Sequence, residues 1–456
     1  MQRSLILLAS AGASASLRNT TLVHVTYPVG AGPIINSVGI ARHSSGDPTI
    51  AITTYLNPPN WVAAYNASSG TDSPSPMWTL SPSTPFSPST IYFVDCARHQ
   101  DDSGDKTSAV DTFSLLSEDN EYTGCTIQGS ASNAGAGAAP RWNWTAPSCA
   151  AFSAQDQWRY IDASDDGSTL CAQLFEEGGG GVRYPVTHAF DAQTGKHLWA
   201  RKLDASAGGY GVEVSDDGRW VVQGIDDSVK SVNRSAIVLS TADGSVRSRV
   251  AIYWNIPPAI SGEGDFVVGG GSSNVMAYKW DASNSSYVLL STPPLSPGEE
   301  AGWLPFDLTI STFTEPDGSV RHLLGATWIG YPDESHGRFT VLDLDAVAAG
   351  SAKQLLLDVR LDTDARQWDF AYVRGDGPYF VVGSAGGDSY FGAPTHWLFK
   401  VGEPAALWSF SAKGGATGID VVQTAANTLW VAASGSQSPG GDGNGGDAYL
   451  WRFEDV

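Results

Sequence analysis

Six carboxylates recur near the starts or middles of short apolar segments: Asp95, Asp162, Glu213, Asp307, Asp369 and Asp420. Acids spaced this way could do two kinds of work. A pair about 5–10 Å apart can hydrolyse a glycosidic bond, and a cluster can hold a divalent metal. Asp162, Glu213, Asp307, Asp369 and Asp420 are therefore the candidate catalytic set of a hydrolase or oxidoreductase. The competing reading is a row of solvated acids in a water-filled channel. Side chains alternate faces along a strand, so residue types alone do not decide which of them converge. A second candidate is the loop 441–447, where Asp442, Asn444 and Asp447 could bind calcium, although the bidentate Glu of an EF-hand loop is missing. The plain alternative is a flexible glycine-rich loop, and no cofactor is expected. The chain has no G-x-S-x-G, H-E-x-x-H or phosphate-loop motif, and its histidines show no ligand-like spacing.

The elements that must position these acids are strands. The chain has 456 residues, with 51 Gly and 16 each of Trp, Tyr and Phe, but only 3 Met. Glycine supplies tight turns and aromatics suit pleated, half-buried surfaces. The strongest signal is internal repetition. The segment from Tyr160 to Leu203 and the segment from Tyr210 to Ile252 share one plan. Each has a strand, an Asp-Asp-Gly turn, a second strand, a loop, a third strand, a polar turn with Gly, and a fourth strand. First-hairpin turns fall at Gly46, Gly104, Gly167, Gly218, Gly264, Gly318, Gly377 and near Asn427. Such spacing suits four-stranded propeller blades with extra length in the loops. The last unit has only three strands, and residues 22–27 offer the missing fourth. The prediction is an all-β propeller of about eight four-stranded blades, closed by an N-terminal strand. Seven blades stay open because the unit 91–147 is irregular.

The segment AFDAQTGKHLWARKL, Ala189 to Leu203, resembles the pyrroloquinoline-quinone-type propeller repeat. The stretches Val238 to Ile252 and Trp397 to Phe410 resemble it in part, and the Ser-Asp-Asp-Gly turns look like those of WD-repeat propellers. The quinoprotein resemblance would imply a quinone and a calcium ion in the central channel. No two cysteines are adjacent here, and no Glu–Asn–Asp calcium set can be carried over, so the resemblance is to the superfold.

Charge and processing signals point to export. The formal charge of −22 disfavours nucleic acid and anionic membrane. Residues 1–15 read as a signal peptide ending in Ala13-Ser14-Ala15, leaving 16–456 as a single propeller domain. Five glycosylation sequons, expected in turns or termini, stand at Asn19, Asn66, Asn143, Asn233 and Asn284. Cys96, Cys125, Cys149 and Cys171 are even in number, which suits two disulfides in an oxidising compartment. Three pairings are open, with Cys125–Cys149 and Cys96–Cys171 preferred; the alternative for Cys171 is a buried thiol.

The two ends of the propeller are treated differently by the sequence. Turns joining strands a–b and c–d are mostly short and stereotyped. The b–c loops are long and varied, and variable loops on a rigid scaffold are where recognition sits. Trp158, Tyr210, Trp254, Trp303 and Trp368 recur at the connections to each next blade, on the loop face. They could stack on a sugar or clamp a peptide, or else wedge between blades. Trp61, Tyr331, Tyr390 and Phe391 lie in the loops themselves. The expected function is an extracellular binding module, a monomer with a protein or glycan ligand on this face.

Overall fold

The computed structural model describes residues 17–27, 34–41, 48–55, 62–66, 71, 74–80, 91–96, 110–117, 125–131, 140–146, 160–177, 183–203, 208–226, 234–253, 256–271, 274–290, 292, 303–330, 337–361, 370–385, 395–412, 415–425, 428–436 and 446–456. They form eight four-stranded antiparallel sheets arranged as a β-propeller.

The first strand is β1 (Arg18–Tyr27). Blade 1 holds β2 (Ile34–Ala41), β3 (Thr49–Tyr55), β4 (Val62–Asn66) and β5 (Trp78–Leu80). Blade 2 holds β6 (Ile91–Cys96), β7 (Thr112–Ser117), β8 (Cys125–Ser130) and β9 (Trp142–Thr145). The irregular unit 91–147 is therefore a full blade. Blade 3 holds β10 (Ile161–Ala163), β11 (Thr169–Glu177), β12 (Arg183–Asp191) and β13 (His197–Lys202). Blade 4 holds β14 (Gly208–Val214), β15 (Trp220–Asp226), β16 (Ser235–Ser240) and β17 (Val246–Ala251). Blade 5 holds β18 (Ala259–Ile260), β19 (Phe266–Gly270), β20 (Val275–Asp281) and β21 (Ser286–Leu289). Blade 6 holds β22 (Trp303–Thr314), β23 (Val320–Gly330), β24 (Gly337–Asp343), the short helix α1 (Leu344–Ala348) and β25 (Leu355–Leu361). Blade 7 holds β26 (Phe370–Asp376), β27 (Tyr379–Ala385), β28 (His396–Lys400) and β29 (Trp408–Phe410). Blade 8 holds β30 (Gly415–Ala425), β31 (Thr428–Ser436) and β32 (Gly446–Glu454).

Blade 8 takes β1 as its outer strand. The pairing is antiparallel, from Arg18 opposite Glu454 to Tyr27 opposite Gly446. The closing strand is thus longer than residues 22–27 and joins the two chain ends in one sheet, which covers an edge that would otherwise be open.

The turn chemistry follows the glycines. Gly167, Gly218, Gly264, Gly318 and Gly377 all have φ between 57° and 86° at the a–b turns, the left-handed region where a Cβ is disfavoured. Gly46, Gly104 and Asn427 lie outside the described residues. Ser164 Oγ and Ser215 Oγ each accept the amide that closes their hairpin, from Thr169 at 3.0 Å and Trp220 at 3.1 Å.

Every blade has an inner edge whose outward N–H groups lack a strand partner. A buried amide left this way is costly, and side chains of neighbouring blades satisfy several of them. Asp162 Oδ2 accepts the amide of Val214 at 2.5 Å, and Glu213 Oε1 accepts that of Ile260 at 3.1 Å. Asp307 Oδ2 accepts from Val373 at 3.0 Å, and Asp376 Oδ2 from Gln423 at 2.6 Å. Asp420 Oδ2 accepts from Ile40 at 2.8 Å, stapling blade 8 to blade 1. In blade 5, Ala259 stands at the carboxylate's place relative to the turn glycine. There the amide of Gly262 reaches Thr312 Oγ1 of blade 6 at 2.9 Å.

A second set of staples works at the outer edge. Trp142 Nε1 donates to Ala192 O of blade 3 at 2.8 Å, and Trp199 Nε1 to Thr241 O of blade 4 at 2.6 Å. The indoles lie against Gly195 and Gly244, where an added Cβ would come within 2.4 and 2.9 Å of the rings. The next seam uses Arg247 instead, sandwiched at 4.0 and 3.9 Å from the Trp220 and Trp280 rings. It donates to Gly264 O at 2.8 Å.

The seam between blades 5 and 6 also carries an ionic cluster. His322 Nδ1 lies 3.0 Å from Asp345 Oδ2, and its Nε2 meets Glu263 Oε1; Lys279 adds charge beside Asp345. Burial opposes charging the ring, but hydrogen bonds and negative charge from the two carboxylates outweigh it, and the His322 pKa rises to about 9.

Two outcomes follow from these seams. Asp420→Ala strips a buried amide of its charged acceptor, so urea unfolding should show a loss of about 2 kcal/mol, with Asp420→Asn losing less because an acceptor remains. A histidine whose folded pKa exceeds the unfolded 6.5 stabilises fully below pH 6.5 and loses this contribution as pH rises through about 9. The urea midpoint should therefore fall from pH 6.5 to 9.5 in the wild type by more than in His322→Gln.

Candidate binding face

The inner-strand acids fall into the seams. Glu213, Asp307 and Asp420 are 8%, 4% and 6% exposed, and Asp162 is half-buried. Each turns a carboxylate oxygen to the next blade's backbone, and Arg374 of blade 7 also pairs with Asp307 at 3.3 Å. None of these four acids is a free carboxylate. The Asp95 side chain and Asp369 lie outside the described residues. Among the described residues no group of three His, Cys, Asp or Glu is placed to hold a metal.

Asp447 is a strand residue of β32, fully buried. Its Oδ2 accepts from the Tyr449 hydroxyl at 2.9 Å and its Oδ1 lies 3.6 Å from His24 Nε2, with the His24 ring stacked on Tyr449 at 4.4 Å. The carboxylate serves the closing strand. Asp442 and Asn444 are outside the described residues.

Cys96 and Cys171, expected to pair, are buried and not joined to each other. The reason is radial geometry. Cys96 packs on Ala41 and Ala51 of blade 1, whereas Cys171 packs on Val212 and Val221 of blade 4. Burial, then the charge of Asp162, pushes the Cys171 thiol well above its usual range. The Cys125 side chain and Cys149 lie outside the described residues.

Of the connection aromatics, Trp303 is described, and it is a wedge. It is 7% exposed and packs with Phe266, Leu308 and Trp328 in the seam of blades 5 and 6. The side chains of Trp158, Tyr210, Trp254 and Trp368 lie outside the described residues, as do Trp61, Tyr331, Tyr390 and Phe391. The sequons, expected in turns or termini, are spread over strands and turns. Asn19 is exposed on β1 and Asn143 on β9, Asn66 ends β4, and Asn284 sits in an exposed hairpin turn where its amide donates to Asp281 at 2.6 Å. Asn233 is outside the described residues. Outer strands have one solvated side, which is why a sequon can sit on them.

The loop face of blades 3 and 4 does present chemistry, at residues the sequence did not single out. Tyr253 follows β17 and is 63% exposed. Its own amide donates to Gly270 O at 2.7 Å, and its carbonyl accepts from Arg234 Nη1 at 2.6 Å. The backbone is pinned on both sides while the ring stays in water. On blade 3, Lys202 lies over the Tyr184 ring at 4.1 Å and pairs with Glu176 at 3.2 Å. An exposed aromatic with cations beside it can stack on a planar or sugar face and pair with an anionic group. The signal available in sequence was Tyr253 beside Trp254, masked by the search for one aromatic per blade.

No family model and no curated protein sequence matches the chain. Solved structures do. The chain is similar to Chaetomium thermophilum Sqt1, solved bound to the N-terminus of a ribosomal protein, with a TM-score of 0.55 and 10% identity over 96% of this chain and 100% of that one. It is also similar to a quinohemoprotein alcohol dehydrogenase from Pseudomonas putida, with a TM-score of 0.49 and 10% identity over 96% of this chain and 76% of that one. A europium-containing methanol dehydrogenase gives 0.45 and 10% over 95% and 93%. At such identity the likeness to Sqt1 is one of fold alone.

Proposed function

We propose that this chain is a secreted binding module that receives an extracellular protein or glycan on its b–c loop face. The observation that carries the reading is the exposed Tyr253 ring, carried on a backbone held by hydrogen bonds at the end of the propeller where the loops vary. A rigid aromatic gives large contact area at little entropic cost. The opposite end is built of stereotyped hairpins whose glycines and serines serve the turn itself. Of the inner carboxylates that could support hydrolysis, Asp162, Glu213, Asp307 and Asp420 each accept a backbone amide of the next blade. A propeller solved with a bound peptide, Sqt1, illustrates that such a scaffold can serve recognition. The sequons exposed on β1 and β9, and the signal-peptide pattern at residues 1–15, support export.

A glycan array and a displayed random-peptide library, each probed with the purified chain, test this reading. A selected ligand should bind Tyr253→Ala about tenfold or more weakly, as for a central aromatic contact. Arg219→Ala, on the opposite end, should bind as the wild type does, and neither variant should shift the melting temperature by more than a few degrees. A ligand sensitive to Arg219→Ala and indifferent to Tyr253→Ala would overturn the assignment of the face.

A further inference from the structure

His188 on β12 and His197 on β13 meet across the outermost hairpin of blade 3. The register slips between Ala189 and Phe190, which places His197 opposite Phe190 and lets the rings approach. His188 Nδ1 and His197 Nε2 stand 3.1 Å apart. The rings are held from several sides. Trp144 of blade 2 stacks on His197 at 5.1 Å and 11°, and meets His188 at 5.1 Å. Phe190 packs edge-on against His197 at 5.2 Å. His188 is 6% exposed, whereas His197 is partly open to solvent.

We propose that His188 Nδ1 and His197 Nε2 form a two-imidazole chelate for a borderline divalent transition-metal ion, Zn2+ or Cu2+. Two imidazole nitrogens each about 2.05 Å from one ion and as far apart as these subtend roughly 100°, between octahedral and tetrahedral angles. The ion takes the place of the single proton now shared between the rings. His188 then carries its N–H on Nε2 and His197 on Nδ1, so two neutral ligands result and no proton is released. Among the described residues no third His, Cys, Asp or Glu completes the set, so water on the His197 side fills the remaining positions. Pre-packed rings are what a chelate with few ligands needs, because ordering them on binding would cost affinity.

Isothermal titration of the full chain with ZnCl2 after removal of metal by EDTA tests this. The expected result is one ion per chain, with affinity falling at least about tenfold in His197→Gln and in His188→Gln. Cu2+ bound at one equivalent should show two nitrogen donors by electron paramagnetic resonance, and one in either variant. His197 is partly exposed, so His197→Gln should fold and decides the matter alone if His188→Gln does not. No uptake by the wild type overturns the site. Equal uptake by His197→Gln and wild type also overturns it, because the ion then sits elsewhere on an acidic surface.

Discussion

A propeller has an edge problem at its centre. Each innermost strand pairs on one side only, and its other side presents amide donors to the next blade, which is too far round the ring for strand pairing. In this chain the donors of Val214, Ile260, Val373, Gln423 and Ile40 each find a carboxylate from the preceding blade. A charge-assisted bond of this kind is stronger than a neutral one, and the cost of leaving either partner alone in a buried seam is larger still. The staple is directional, so its repetition orders the blades around the ring. At the outer radius the indoles of Trp142 and Trp199 and the guanidinium of Arg247 act in the same sense, each on the turn of the following blade.

This division of labour redistributes the chemistry. Asp162, Glu213, Asp307 and Asp420, which look like catalytic candidates in one dimension, accept backbone amides across the seams in three. The formal charge of −22 is therefore not all surface charge, since part of it is spent against backbone amides. At the end of the molecule where strands hand over to variable loops, the exposed Tyr253 stands on a backbone bonded to Gly270 and Arg234. Function on such a scaffold is set by loops, while the seams hold the loops in place.

Much of this architecture was legible in the sequence because it is written in local rules. The Asp-Asp-Gly turns specify positive φ, and Gly167 and Gly218 have it. A three-stranded last unit and a spare first strand imply closure, and β1 pairs with β32. The role of the Trp142 and Trp199 indoles was not visible, because the partner of each is a carbonyl in the next blade. The same limit hid the acids. Whether Asp162 or Glu213 faces the channel or a seam depends on where a neighbouring strand ends, and no local pattern encodes that. Cys96 and Cys171 were close in sequence yet serve different seams. His188 and His197 were read as dispersed because the spacing of nine residues becomes a contact only through a hairpin with a bulge. Trp303 shared the blade period with surface candidates, but its place at the start of a seam strand buries it.

The central claim is that inner-edge amides are bound by carboxylates of the preceding blade. Hydrogen exchange resolved to single amides tests it most directly. The account predicts that Val214, Ile260, Val373 and Ile40 exchange as slowly as the paired amides of the second strands, although no strand lies beyond them. Exchange at these four positions at the rate of open, solvent-facing amides would contradict it.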